Sequence, residues 1–256
     1  MVKSVRDRVS QAEWAVRVDL AACYRLIAYY DWDDGIFTHN TARVPGEDRH
    51  FLINPWGHMF GEITASNLVK VDFDGNIVDG GSQGEDADII NAGFIIHSAV
   101  LIARSDVNSV IHTHSIAGMA VSAQKDGLLP LTQKSMRFYN RLAYHDYEGI
   151  ADDLDERDRL VRDLGDRGAM ILRNHGLLTA GPSIADAYQS VRYLQHACEA
   201  QVAALVGGLE MEFPSPAVCE HAASQYDQAN SNQRGNDAAW AAYCRMLDRI
   251  DPTYAN

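Results

Sequence analysis

Two histidines at alternate positions, in His112-Thr113-His114, constrain this chain more than any other feature, and a third follows in Arg173-Asn174-His175-Gly176. Side chains at i and i+2 of a β-strand project from one face, about 6–7 Å apart. Two such imidazoles can bind one small cation, and a third from a loop completes the set. Three neutral imidazoles leave a coordination position open, as in catalytic metal sites. On spacing alone, a chance pair among ten histidines is an equal alternative.

The composition indicates an ordinary globular chain. A length of 256 residues suits one large α/β domain or two small ones, with 46% hydrophobic and 22% charged residues. A formal net charge of −13 argues against nucleic acid as a partner. No apolar run approaches a membrane span, and no leader-like segment is expected at the amino terminus. The four cysteines lack paired spacing, which predicts reduced thiols and a cytoplasmic location.

Hydrophobic periodicity predicts strand runs interrupted by helices, which indicates a layered α/β domain. The predicted helices are residues 11–30, 89–102, 116–123, about 155–164 and 183–206. The predicted strands are residues 41–44, 51–54, 68–73 and 76–78, the His112 strand, and a pair around Ile171 and residues 177–179. Asp74-Gly75 predicts a type I′ hairpin turn.

The carboxyl-terminal part changes character. Residues 213–235 are rich in Pro, Ser, Asn and Gln, which predicts an irregular excursion. Apolar residues at helical spacing from Ala239 to Ile250 then predict a final helix. We therefore expect a domain over residues 1–212, with an arm and helix over residues 213–256. This last part belongs to the same unit or packs on a neighbouring subunit.

Three stretches, in this order, resemble the class II aldolase/adducin family. They are Gly61-Glu62-Ile63-Thr64-Ala65-Ser66-Asn67-Leu68-Val69-Lys70-Val71-Asp72, Ala143-Tyr144-His145-Asp146-Tyr147 and Ile171-Leu172-Arg173-Asn174-His175-Gly176-Leu177. The likeness covers about residues 12–208 and is closest to the adducin-like branch, as a bacterial-type stand-alone domain. It implies a three-layer α/β/α fold with a central mixed, largely antiparallel sheet. It also implies a homotetramer with active sites between subunits.

The resemblance further implies a divalent metal on the residues that match the family's ligands, His112, His114 and His175. Zinc is expected, with Fe²⁺ or Mn²⁺ as alternatives. In the family's sugar-phosphate aldolases a glutamate upstream of the first metal histidine moves the proton. With His97 as anchor, that position falls on Gly93, which cannot carry a proton. Either another group moves the proton or the chain does not run the standard aldol reaction.

The phosphate site also departs from the family pattern. The aldolases hold phosphate with three loops of glycine and hydroxyl residues. The matching segments are Thr38-His39-Asn40-Thr41, Asn54-Pro55-Trp56-Gly57 and Asn91-Ala92. Hydroxyl donors are lost in two of them and an indole enters one, so a sugar phosphate is not expected as substrate. The candidate substrate contacts are His39, Thr41, Arg43, Asn54, Trp56, Gly57, Asn91 and Gly93.

Three residues are candidates for the missing acid/base. His39 replaces a substrate-contacting Asn of the family, and an imidazole suits proton transfer near neutral pH. Tyr144 and His145 lie in a segment that, in relatives, helps form the site from a neighbouring subunit. For both of these, packing or structural hydrogen bonding is the alternative.

These features favour a metal-dependent lyase acting on a small non-phosphorylated oxo- or hydroxy-carboxylate. Aldol-type cleavage and decarboxylation both pass through a metal-stabilised enolate, so the same histidines serve either reaction. A non-haem iron oxygenase on the same fold is one alternative, because three neutral imidazoles also suit Fe²⁺. A non-catalytic, adducin-like binding module is the other. Gly93 favours that module, whereas the intact histidine trio opposes it.

Overall fold

The computed structural model describes residues 4–149, 156–230 and 234–256, which contain one eight-stranded sheet. Its strands are β1 (Asn40–Arg43), β2 (His50–Ile53), β3 (Val69–Asp72), β4 (Ile77–Asp79), β5 (Ser109–Thr113), β6 (Ala143–His145), β7 (Ala169–Leu172) and β8 (Gly176–Gly181). Their order is β4-β3-β2-β1-β5-β8-β7-β6. Only β6 and β7 pair in parallel. The predicted mixed, largely antiparallel sheet is therefore confirmed.

Helices flank this sheet. They are α1 (Val5–Arg8), α2 (Gln11–Tyr29), α3 (Asn91–Ala103), α4 (Ile116–Ser122), α5 (Gln133–Met136), α6 (Glu156–Leu164), α7 (Ile184–Val206), α8 (Pro216–Asn230) and α9 (Arg234–Ile250). Serines cap several of them: the hydroxyls of Ser10, Ser115 and Ser183, for example, accept backbone N–H bonds at the first turns of α2, α4 and α7. The predicted helix start at Asp155 lies outside the described residues.

Alternation along the strands creates the three layers. In β2, Phe51 and Ile53 pack in the cluster that α3 and α6 cover, whereas Leu52 packs in the cluster that α2 and α7 cover. In β7, Met170 packs with the α3 and α6 side and Ile171 with α4 and α7. This is the period of two expected of a sheet buried on both faces. The predicted α/β/α class is confirmed.

The β3–β4 hairpin does not have the predicted type I′ turn. Such a turn needs positive φ at both central residues, and in this hairpin only Gly75 has it, at 91°. The Gly75 N–H donates to Asp72 O, and the carboxylate of Asp72 accepts from the Asp74 and Asn76 N–H groups. The acidic side chain thus holds a three-residue loop, and the register shifts at Lys70/Val71.

The predicted irregular excursion is wrong for residues 216–230, which form α8, and for residues 234–235, which open α9. Ser215 accepts from the Val218 N–H at 3.4 Å and proline occupies the first position, both favourable helix starts. Only a narrow stripe of small residues is buried, at Cys219 and Ala223. The exposed polar face dominates the composition, which is why the pattern was missed. Residues 231–233 lie outside the described part.

The final helix α9 contacts its own chain. The Trp240 Nε1–H donates to Asp19 of α2 at 3.0 Å, and the Tyr243 ring lies 5.4 Å from the ring of Tyr188 in α7. Leu247 is buried in the same cluster. The domain boundary at residue 212 stays a prediction. Among the described residues, no helix combines the length and apolar character that a membrane crossing requires.

Candidate metal centre

His112, His114 and His175 meet at one end of β5. One ring nitrogen from each lies within 4.8 Å of the others. The Nε2 atoms of His112 and His114 are 2.9 Å apart, and the His175 ring centroid lies 4.9 and 4.7 Å from theirs. The strand pair and the loop histidine therefore converge as the spacing predicts.

The Nδ1 atoms of His112 and His114 each face a hydrogen-bond acceptor. Nδ1 of His112 lies 2.9 Å from Leu177 O, and Nδ1 of His114 lies 2.9 Å from Asp34 Oδ2. Because a carbonyl and a carboxylate accept, each Nδ1 carries the ring proton and the neutral ring directs its Nε2 lone pair inward. Two lone pairs at 2.9 Å repel each other unless a cation binds both. This donor set fits a divalent metal, with Leu177 and Asp34 as outer partners.

Strand register and one glycine explain how the chain builds this arrangement. Asn174, at φ 55°, turns the chain between β7 and β8 and presents His175. Antiparallel pairing of β5 with β8 then brings Gly176 beside His114. A Cβ at position 176 would lie 2.5 Å from Thr113 O and 3.1 Å from His114 Cδ2. Only glycine lets the hairpin approach the imidazoles this closely.

Burial favours the neutral form of His112 and His175. Desolvation lowers the pKa of His112 well below its ordinary value, and neighbouring imidazoles lower it further. For His175, desolvation and then His114 lower the pKa to about 4. Neutral imidazole is the form that binds metal, so no proton has to leave these two rings near neutral pH.

A fourth imidazole, His39, adjoins the trio. The β1–β5 register pairs Asn40 with Ile111, which brings His39 opposite His112, and their ring centroids are 5.3 Å apart. His39 is buried, and neither ring nitrogen has a hydrogen-bond partner. Its ring occupies the space over Gly93, where a Cβ would lie 2.7 Å from His39 Cγ. With His39 in this position, a residue larger than glycine does not fit at position 93.

A cavity of about 380 Å³ opens beside these imidazoles. All four rings line it, together with Phe37, Ile90, Ile96, Met119, Tyr147, Gly149 and Asn174. A cavity of about 570 Å³ lies at the other end of β7 and β8, and it contains none of the four histidines. The chemistry-bearing groups therefore share the smaller cavity, and within the described part of the chain neither lysine nor arginine lines it.

Residues 18–202 match the model of the class II aldolase and adducin N-terminal domain. The Caulobacter vibrioides "Putative aldolase class 2 protein" is 49% identical over 254 residues, covering 99% of this chain and 96% of that protein. The chain belongs to the class II aldolase and adducin family. A solved aldolase II superfamily protein from Pseudomonas syringae shares its fold, with a TM-score of 0.93 and 53% identity over 99% of this chain and all of that one.

Both adducins and sugar-phosphate aldolases of the class II aldolase and adducin family are similar to this chain. Rattus norvegicus alpha-adducin is 43% identical over 196 residues, covering 76% of this chain and 26% of that protein. The L-fuculose 1-phosphate aldolase of Glaciozyma antarctica PI12 is 28% identical with a TM-score of 0.80, covering 97% of this chain and 94% of that one. An enzyme and an adducin thus share the family fold.

Two of the candidate acid/base residues of this family member lie outside the cavity. The Tyr144 hydroxyl accepts from the Leu128 N–H at 3.0 Å, and the Arg173 guanidinium lies over its ring. His145 is buried, and its Nδ1 lies 2.8 Å from Asp163 Oδ2. Its Nε2 has no hydrogen-bond partner, because Glu156 Oε1 is 3.6 Å away. The hydrogen bonds of Tyr144 and His145 hold β6 in place. Within this chain both side chains therefore have structural contacts, and their catalytic role stays a prediction.

Several predicted substrate contacts also have structural partners. Arg43 donates to Leu101 O at 2.6 Å and to Val107 O at 3.2 Å, beyond the last turns of α3. The Thr41 hydroxyl lies 2.8 Å from Nδ1 of His97, and Asn54 Oδ1 accepts from the Tyr24 hydroxyl at 2.8 Å. These three side chains form hydrogen bonds that connect elements around the site, and they do not line the cavity.

The remaining predicted contacts lie near the cavity mouth or at the start of α3. Trp56 is 40% exposed, and its ring centroid is 6.1 Å from that of Phe37. Gly57, with φ 81°, follows it in an open turn. Asn91 is the first residue of α3 and is exposed. His39, alone of the predicted substrate contacts, is part of the cavity lining.

The sequence reasoning missed Asp34 and Phe37. Asp34 reads as one of several helix-breaking acidic residues, and its pairing with His114 spans 80 positions. The Phe37 N–H donates to Asp34 O at 3.0 Å, so one tight turn presents both side chains to the site. No local pattern marks such a long-range pair.

Proposed function

We propose that the chain is a metal-dependent lyase of the class II aldolase type, acting on a small non-phosphorylated oxo- or hydroxy-carboxylate by aldol-type cleavage or decarboxylation. One observation carries the proposal. The Nε2 atoms of His112 and His114 face each other at 2.9 Å while both Nδ1 atoms are already held. Family membership and the likeness to a named aldolase support it.

In this proposal His112, His114 and His175 hold zinc. When bound, the ion supplies Lewis-acid stabilisation of the negative charge that develops on substrate oxygens. Asp34 and the Leu177 carbonyl fix the ring orientations, as outer partners of metal histidines do. Phe37, Ile96 and Met119 border the cavity with apolar side chains.

His39 moves the proton in place of the family's glutamate. Its neutral ring lies beside His112 with both Nδ1 and Nε2 unpaired, so it can accept a proton without breaking an existing hydrogen bond. In aldol-type cleavage it takes the proton of the substrate hydroxyl as the C–C bond breaks, and it returns that proton to carbon. In decarboxylation the carboxylate leaves as CO₂ without a proton, so His39 takes a proton from solvent water and delivers it to carbon.

The lining supports a substrate without phosphate. Phosphate is bound by lysine, arginine or clusters of N–H and hydroxyl donors. The lining residues that the structure describes include no lysine, arginine, serine or threonine. A carboxylate needs none of these if it reaches the metal.

Elemental analysis of protein purified without chelator tests the metal site. Near-stoichiometric zinc, lost in His112→Ala and His175→Ala but retained in the exposed control His221→Ala, would support the lyase. Iron retained only without oxygen would favour the oxygenase. No metal after purification with or without oxygen would favour the adducin-like binding module. Metal content unchanged in both His112→Ala and His175→Ala would refute the assignment of these histidines as metal ligands.

Gly93→Ala tests the role of His39. The added Cβ must displace the His39 ring, so turnover should fall while bound metal stays at the wild-type level. The double variant His39→Ala, Gly93→Glu removes the Cγ that opposes a Cβ at position 93 and places a carboxylate where the family aldolases have one, while Ile90 Cγ2, at 2.8 Å, must still shift. Unchanged turnover in Gly93→Ala would show that the position of His39 does not matter to the reaction.

Assembly as a homotetramer is part of the proposal and rests on the family alone. Light scattering coupled to size-exclusion chromatography measures it directly. A monomer that still turns over substrate would show that the site is complete within one chain.

A further inference from the structure

The cavity beside the metal centre combines two surfaces of different character. One part of the lining consists of imidazoles. The large side chains in the rest of the lining are Phe37, Ile90, Ile96, Met119 and Tyr147. Among residues 4–149, 156–230 and 234–256, no lysine, arginine, aspartate or glutamate lines the cavity. A charged group distant from the metal would therefore have no partner of opposite charge in this lining.

The cavity is also larger than a minimal oxo-acid needs. Even at about 30 Å³ per heavy atom, the six heavy atoms of pyruvate fill about 180 Å³. The cavity measures about 380 Å³. Roughly half of the space then remains, and apolar side chains border it.

Two aromatic rings of this lining are not used by the fold. Phe37 is 56% exposed and Tyr147 is 54% exposed, and neither belongs to a core cluster. The Tyr147 ring is 6.2 Å from the ring of His175. The turn that brings Asp34 to His114 also brings Phe37 to the cavity. Each ring is thus tied in position to a metal histidine or its partner.

We infer that the substrate carries an apolar group, aromatic by preference, that packs against Phe37 and Tyr147 while its oxo-acid end reaches the three histidines. This inference rests on the proposed function and names the substrate class of that site. Aromatic rings prefer edge or offset contact with other rings, and a phenyl group buries enough area to affect affinity strongly.

Titration calorimetry of the zinc-loaded protein with pyruvate and with phenylpyruvate tests it. We expect phenylpyruvate to bind at least about tenfold more tightly, since burial of one ring accounts for that factor. Phe37→Ala and Tyr147→Ala should each reduce the ratio several-fold, whereas Phe37→Tyr should retain it. Phe213→Ala is the matched control, because Phe213 is 48% exposed and is not among the cavity residues.

The outcomes separate the two levels of the proposal. Equal affinity for both acids, or a ratio that Phe37→Ala and Phe213→Ala leave alike, overturns the aromatic preference while the metal function stands. If both acids bind His112→Ala as tightly as the wild type, the metal is not the binding point of the acid and the inferred pose is overturned. If neither acid binds although zinc is present, the oxo-acid function and this inference both fail.

Discussion

Two clusters of buried polar side chains lie in this molecule, and they differ in how completely they are paired. In the first, Arg17 Nε donates to Glu13 Oε1 at 2.9 Å, Lys70 Nζ donates to Glu13 Oε2 at 2.8 Å, and Arg17 Nη1 donates to Leu68 O at 2.8 Å. In the second, the metal centre, His39 has no partner on either nitrogen, and the Nε2 atoms of His112 and His114 face each other.

The difference separates structural from functional polarity. Buried polar groups are normally hydrogen-bonded, and in the ion cluster every buried side-chain nitrogen and oxygen except Arg17 Nη2 has a partner. Glu13, Arg17 and Lys70 connect α2 to β3 and complete most of their bonds within the chain. The imidazoles around the cavity direct unpaired atoms into open space, which is the arrangement that a ligand would complete.

The largest effect on stability is expected in the paired cluster. Glu13→Ala leaves Arg17 and Lys70 buried without their shared partner, which should lower the free energy of unfolding by about 3–5 kcal/mol. Urea unfolding measures this loss of stability. The metal content per folded molecule should not change. Arg49→Ala, which breaks an exposed pair with Asp74, is the control and should cost less than about 1 kcal/mol. Equal losses in the two variants would remove the distinction.

Asp34→Asn should act on metal affinity. Replacing the outer partner of a metal histidine weakens binding about 10- to 100-fold. Competition with a chromophoric chelator gives the affinity, and urea unfolding of the metal-free protein should be unchanged within about 0.5 kcal/mol. The neighbouring Asp33→Asn is the matched control. Equal affinities in the two variants would show that the Asp34 contact does not orient His114.

The buried imidazoles predict a pH dependence of the metal-free protein. Burial lowers the pKa of His97 well below its ordinary value near 6.5, so below that pH the unfolded state binds the proton first. Stability must then fall as pH decreases from about 6.5, by up to about 1.4 kcal/mol per pH unit for each such histidine. His97→Asn should reduce this slope in denaturation series between pH 7 and 4.5. An unaltered slope would contradict a neutral, buried His97.

The smallest effect on stability is expected where polar atoms are unpaired. His39→Leu removes two unpaired nitrogens from a buried position, so the free energy of unfolding should change by less than about 1 kcal/mol and can rise. Turnover should be lost with metal retained. A loss as large as that of Glu13→Ala would mean that His39 is a structural residue.

Local patterns predicted much of the fold. The apolar spacing of α2 and α7 and the alternation of the strands follow from side-chain geometry within one element, so they are legible without neighbours. The failures were of two kinds. The β3–β4 turn is held by the Asp72 side chain, and α8 buries only small residues under a polar face.

The residues of the candidate site also divide into those that the sequence predicts correctly and those whose contacts it does not reveal. His112, His114 and His175 follow from motif and resemblance, because strand alternation sets the first two and the Asn-His-Gly hairpin presents the third. Tyr144, His145 and Arg43 come from the same reasoning, yet their partners are structural. Which polar side chain remains unpaired depends on what packs around it, and that is not encoded at neighbouring positions.

The sequence by itself determined the family, the layered α/β class and the three histidines, since these depend on residue type and short spacing. Only the tertiary structure decided that His39 fills the space over Gly93, that Asp34 holds His114, and that Phe37 and Tyr147 border the cavity. The reason is physical. Strand register and turn geometry bring together residues tens of positions apart, and their contacts depend on distances that no local pattern contains.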